Sequence, residues 1–223
     1  MTLASIQADP EIAALIGAGN RYLATLGYTE HGPRHVGYVS GTASHILRAL
    51  GRPQRLVELA GIAGWVHDVG NCINRHDHGP NGATLLFPIL RRMGMEIDDA
   101  LEIVTAVGNH EEQSGNVTSE VSAALIIADK TDAHRSRVRL GRPNPDDVHD
   151  RVNFAISEGA VTVDTERRVI RHALRMDGTS SVLEYLQIYL SRIVMCEHAA
   201  AYLGCAFELD INGQAINNRP AME

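Results

Sequence analysis

The chain has 223 residues, of which 44% are hydrophobic and 21% charged, the balance of a soluble globular fold rather than a disordered or membrane-spanning one. A formal charge of −7 argues against general nucleic-acid binding, and no apolar run approaches the roughly 20 residues that cross a bilayer. Cys72, Cys196 and Cys205 have no paired spacing and Met1–Ser5 carries no basic or apolar leader, so reduced thiols and a cytoplasmic location are expected.

Aromatic residues make up only 4% of the chain, so the core must be built from Leu, Ile, Val and Ala, which suits packed helices. Asp9-Pro10 predicts a first helix with an aspartate cap and a proline at its first position, ended by Gly27. A second helix is expected from Pro33 to Leu50, stopped by Gly51, and Pro53 starts a third that carries Leu56, Leu59, Ala60, Ala63 and His67. Gly70 to Asn81 is rich in Asn, His, Asp and Gly and predicts a loop. Ala83–Met93 predicts a helix bent at Pro88, and Asp98 or Asp99 caps another that ends near His110. Ser119 caps a helix through Asp129 to about Arg135, and Asn144-Pro145-Asp146-Asp147 starts one more.

After that the pattern changes. Residues 160–164 and 168–174 alternate and are β-branched, predicting a hairpin, followed by a long amphipathic helix over 180–203 and a strand over 206–211. The expected fold is mainly α, a helical body over residues 1–143 with a small β-β-α-β appendage over 144–223 packed on it.

Eleven histidines, concentrated before residue 135, are the compositional anomaly. His67 and Asp68 end an apolar helix, where an unpaired imidazole and carboxylate are costly and the carboxylate meets the negative end of the helix dipole. His35 lies on the first turn of its helix, His110 at another helix end, and Asp129 inside the apolar run Ala123–Ala128. Several helices presenting imidazole and carboxylate to one interior point are how helical bundles build metal sites.

This order of residues resembles the HD-domain superfamily of metal-dependent phosphohydrolases over roughly Gly32 to Arg139. The matching positions are His35, His67-Asp68 and Asp129, with His78 in His78–Ala83 and His110 matching the two-metal branches. The resemblance implies an HD-type helical domain with two divalent transition-metal ions (Fe, Mn, Co, Ni or Zn) held by His35, His67, Asp68, His78, His110 and Asp129. Asp68 would bridge the two. It implies hydrolysis of a phosphate ester or anhydride of a phosphorylated small molecule, in particular a nucleotide, by a metal-bound hydroxide.

Two departures count against a cyclic-di-nucleotide substrate: Asn71 stands where such relatives carry lysine, and Asn109-His110 replaces a pair of histidines. His78–Ala83 is closer to the dinucleoside-polyphosphate hydrolases of the superfamily. Beyond the ligands, Asp68, His110, Asp132 and Arg135 are the candidate catalytic groups. Asp132 is expected to face the site and Lys130 to point away. Arg135, Arg137, Arg139 and Arg142 form either a phosphate-binding cluster or a solvated face. His31 reads as a capping or solvent-facing residue rather than a ligand, and His45, His149, His172 and His198 carry no partner pattern.

Two other readings use the same residues. One is an HD-type di-iron oxygenase with the same six ligands. The other is a non-catalytic sensor or scaffold in which metal organises the helices and the appendage binds a partner, with apolar faces on the long helix leaving room for a homodimer.

Overall fold

Prolines and short polar side chains punctuate the helices. In the computed structural model, which describes residues 1–217, α1 (Leu3–Gln7) is capped by Thr2. Asp9 caps α2 (Pro10–Thr25), accepting from the Glu11 and Ile12 N–H groups at 3.0 Å each. Pro33 and Pro53 lead into α3 (Pro33–Ala49) and α4 (Gln54–Val66). The body continues with α5 (His78–Arg92), α6 (Ile97–Gly108) and α7 (Glu120–Lys130), the last capped by Ser119.

α4 lies at the centre, with Val57, Leu59, Ala60, Ile62, Ala63 and Val66 all buried. It packs tightly on α3: a Cβ on Gly64 would stand 2.7 Å from the Ser40 backbone, so only glycine permits this approach. Ser40 donates to the Gly61 carbonyl at 2.7 Å across the same seam. The turn between these helices reverses the chain, so the start of α3 lies beside the end of α4. His35 thereby meets His67.

Asp147 caps α8 (Val148–Ala155), which runs directly into the sheet. β1 (Ile156–Asp164) pairs antiparallel with β2 (Val169–Met176), and β2 pairs parallel with β3 (Ala206–Ile211). The parallel pair needs a crossover, which α9 (Val182–Tyr202) supplies, started by a Ser181–Glu184 capping box. β4 (Gln214–Ala215) folds back on β3 through Asn212-Gly213, both at positive φ. The hydrophobic core is continuous from Ile6 through α4 and α7 to Tyr185, Ala199 and Ile211.

A mainly helical protein with a small C-terminal sheet is therefore what forms, and several local details differ from expectation: Glu96, not Asp98 or Asp99, is the N-cap of α6, and β1 begins at Ile156 rather than at residue 160. The polar segment 70–81 is not all loop: a 3-10 turn spans Val69–Cys72 and α5 already begins at His78. Pro80 fits there because the first-turn N–H groups of a helix have no partner within it. Pro88 lies inside α5, where it was expected. Finally, α7 stops at Lys130 instead of reaching Arg135, and the Thr131 hydroxyl turns back to donate to the Ile127 carbonyl at 2.7 Å.

Candidate metal centre

The chain folds its scattered histidines and aspartates into one buried cluster. His35 comes from the first turn of α3, His67 and Asp68 from the end of α4, His78 from the start of α5 and His110 from just past α6. Asp129 comes from the last turn of α7. His35, His67 and His110 are fully buried, and Asp68 and His78 nearly so.

Every ring in the cluster is oriented through its outer nitrogen. Nδ1–H of His67 donates to the Gly64 carbonyl at 2.9 Å, and that of His110 to the Val107 carbonyl at 2.6 Å. His78 Nδ1 faces the Arg75 carbonyl at 3.1 Å and the Glu111 carboxylate at 2.8 Å. His35 Nδ1 donates to Asp132 Oδ2 at 2.6 Å. With the proton fixed on Nδ1, each neutral ring turns an Nε2 lone pair inward.

Those lone pairs meet each other. His35 and His67 Nε2 stand 3.2 Å apart, and His78 and His110 Nε2 stand 3.0 Å apart. Asp129 Oδ1 lies 3.4 Å from His35 Nε2 and 3.5 Å from His67 Nε2. Asp68 spans both pairs: Oδ2 is 3.5 Å from His35 and His67 Nε2, while Oδ1 is 3.3 Å from His78 Nε2. Oδ1 also accepts from the Asn71 amide at 2.8 Å, but Oδ2 is buried with no hydrogen-bond donor.

An orphaned carboxylate oxygen facing converging lone pairs is a poor arrangement for neutral side chains and a good one for cations. His35, His67 and Asp129 offer ligand atoms within 4.8 Å of one another, and so do His67, Asp68 and His110. The nitrogen and carboxylate donors suit first-row transition metals. The alternative compensation is protonation. Burial works against charge on His35 and His78, but their carboxylate neighbours outweigh it and raise the two to about 10 and about 9. His110, pushed by burial and then by His78 and His67, falls to about 3.

Carboxylates outside the cluster hold the rings in place. Asp132 receives His35 Nδ1–H and is also bound by Arg34. Glu111 receives His78 Nδ1–H and the Gly79 N–H at 2.5 Å. Such outer partners fix ring orientation and raise ligand basicity. Asp132 thus faces the site as expected, but through His35 and from beyond the end of α7.

Other expected placements differ. Arg135 is not at the site: it lies over the Phe154 ring and pairs with Asp177 at 2.6 Å, because the chain leaves helical geometry after Lys130. Lys130 does not point away; its ammonium binds Asp129 Oδ2 at 2.8 Å and Glu112 at 3.1 Å. Arg137 borders the cluster but its guanidinium is occupied by the Asp132 carbonyl at 2.7 Å and by the Glu30 carbonyl. Arg139 fastens the segment before α3 through the carbonyls of Tyr28 and Thr29. His31 is half-buried at the cavity and outside the two groups of candidate metal ligands: Nδ1 donates to the Thr29 carbonyl, leaving Nε2 to accept from Arg137 at 3.0 Å.

A cavity of about 300 Å³ opens against Asp68, His78 and Asp129. The cavity is also lined by His149, Asn153, Tyr189 and Arg192 of α8 and α9, and by Tyr28 and Arg75. Arg192 binds Glu112 at 2.9 Å, which links α9 through Lys130 to Asp129. The histidine and aspartate pattern of the sequence contained no signal for Arg192 or Tyr189. Arg75 sits in the histidine-rich segment, where its neighbours were the only cue.

Residues 34–134, a little under half of the chain, match the family described as HD domain. No curated protein matches the chain.

Proposed function

We propose, from the match of residues 34–134 to the HD domain family, whose members are mostly metal-dependent hydrolases, that this chain is a metal-dependent phosphohydrolase with a two-metal centre. Its substrate would be a phosphorylated small molecule, in the first place a nucleotide. The observation that carries the reading is Asp68: both carboxylate oxygens face histidine Nε2 atoms, from two different pairs, and the buried Oδ2 has no donor.

His35, His67 and Asp129 would hold one ion, His78 and His110 the other, and Asp68 would belong to both. Divalent cations bound there would polarise a phosphoryl oxygen and bring the pKa of a bound water toward neutrality. The chain's own contribution is orientation. Asp132 keeps one proton of His35 on Nδ1, and Glu111 does the same for His78, so that each Nε2 would be turned to a cation that displaces its proton. Lys130 neutralises the outer oxygen of Asp129, leaving the inner one for the cluster. The cavity beside the cluster is within the usual size of a small-ligand site.

The test is metal content of the purified protein together with phosphate release from a panel of nucleotides, monoesters, diesters and anhydrides. Each would be assayed with Mn, Co, Ni or Fe. Metal-dependent release that disappears in Asp68→Ala supports the reading. No release above the metal-free background with any metal would remove it.

A further inference from the structure

The cavity beside the cluster is bordered by four permanently cationic side chains among the described residues: Arg75, Lys130, Arg137 and Arg192. Three already have compensation. Lys130 lies between Asp129 and Glu112, Arg192 binds Glu112, and Arg137 has two carbonyls with Asp132 Oδ2 at 3.7 Å.

Arg75 differs. No carboxylate stands within ion-pair distance of it among the described residues. Its guanidinium lies over the Tyr28 ring, 5.5 Å from the centroid, an arrangement that favours the charge and aims the side chain. Its one polar neighbour is His78 Nε2, at 3.4 Å from Nη1. Its backbone is fixed to the same ring, because the Arg75 carbonyl faces His78 Nδ1 at 3.1 Å.

This placement has a consequence for what the site receives. His78 Nε2 is the atom that would coordinate a cation, with Asp68 Oδ1 only 3.3 Å away. Once that lone pair is taken, Arg75 loses its polar neighbour and is left as one cation beside another. Only an anion reaching both can relieve this, and a guanidinium fork is shaped for two oxygens of one phosphate. A diester phosphate carries a single negative charge, whereas a terminal phosphate carries about 1.5 to 2 near neutral pH. A cation in excess of the metal charge therefore selects for the terminal group.

We propose that the site takes a terminal phosphate group and that Arg75 is the side chain that grips its non-bridging oxygens. This rests on the metal-dependent phosphohydrolase reading above. The activity it describes is addition of water across the P–O bond of the terminal phosphate, giving inorganic phosphate and the dephosphorylated remainder.

The experiment uses the full chain loaded with manganese, with metal content measured for wild type, Arg75→Gln and Arg75→Lys. Inorganic phosphate is titrated into each by calorimetry. The expected result is an affinity about 10- to 100-fold weaker in Arg75→Gln at unchanged metal content, with Arg75→Lys between, since a charge-assisted hydrogen bond is worth about that much. Unchanged affinity, no binding to wild type, or metal loss in both variants would overturn the proposal. Hydrolysis of 4-nitrophenyl phosphate and of bis(4-nitrophenyl) phosphate then tests the terminal preference. Wild type should favour the monoester, and Arg75→Gln should lower kcat/KM for the monoester more than for the diester; equal losses would overturn that part. Phosphate binding that depends on Arg75 without hydrolysis of any ester would leave the anion site standing and remove the hydrolase reading.

Discussion

The Nε2 atoms of His78 and His110 face each other at 3.0 Å while both rings direct Nδ1 toward backbone carbonyls. Two lone pairs cannot satisfy one another, so a cation or an added proton must lie in that half of the cluster. A chelator should accordingly lower the melting temperature, and readdition of Mn, Co, Ni or Fe should restore it. Protons compete for the same nitrogens, so metal affinity should weaken as pH falls. A melting temperature indifferent to chelator would count against any bound metal.

Asp68→Ala removes the carboxylate shared by both histidine pairs. Metal content should fall and metal-dependent hydrolysis should drop to background. The fold should survive, because Oδ2 has no donor and Oδ1 loses only the Asn71 amide among its hydrogen bonds. Metal analysis and circular dichroism on the same sample separate loss of the site from loss of the fold.

Asp132→Asn and Glu111→Gln act on opposite halves of the cluster. The first weakens the anchor of His35 and the second that of His78. Each should cost about 10- to 100-fold in metal affinity, the usual effect of losing an outer carboxylate partner. Competitive titration with a chromogenic chelator should show one weakened metal in each variant and both in the double variant.

Gly70→Ala should do more harm than its size suggests. A Cβ on Gly70 would overlap the His78 carbonyl oxygen and lie 2.5 Å from the Gly82 nitrogen, both backbone atoms that cannot turn aside. Overpacking of this kind costs about 1–3 kcal/mol, or roughly 2–12 °C in melting temperature for a chain of this size. Since the start of α5 would have to move, His78 should be displaced and the metal stoichiometry should fall as well. Wild-type stoichiometry in Gly70→Ala would contradict this.

His172 ties stability to pH. It is buried in β2, Nε2 has no partner, and burial pushes its pKa down from 6.5 to about 4. Above pH 6.5 both folded and unfolded forms are neutral there and the full stability is present. Between pH 6.5 and about 4 the unfolded chain takes up a proton that the folded one refuses, so stability falls with pH, by about 3 kcal/mol in total. His172→Leu should flatten that part of the dependence. Urea unfolding of metal-free wild type and variant at pH 8, 6 and 4.5 measures the difference; parallel curves would show that His172 does not carry it.

The helix pattern and five of the candidate positions, His35, His67, Asp68, His110 and Asp129, were legible in the amino-acid order because their signals are local, whereas His78 came only from the family resemblance. A proline after an aspartate, a serine before an apolar run, or a carboxylate inside one has a cost or a preference that a few neighbours determine. Asp9 and Ser119 cap the helices they were expected to cap, and Asp129 is turned toward histidines where apolar surroundings alone would have been costly. The placement of α5 was less clear, because a helix start rich in Gly, Asn and Pro reads locally as a loop.

What the tertiary structure decided are the relations between residues far apart along the chain. Arg135, spaced from Asp129 as if on one helix, leaves the site because Thr131 ends α7 early. Arg192 and Glu112 look like solvated charges in their own helical and loop contexts, yet they meet 80 residues apart beside the cavity. Arg75 differs from the other arginines at the cavity, Arg137 and Arg192, in having no carboxylate brought to it. Charge compensation depends on distance in space and on burial, and neither is a property of a short stretch of sequence. The candidate ligands could therefore be read from the chain, while the groups that position their side chains and the one cavity arginine without a carboxylate emerged only once it was folded.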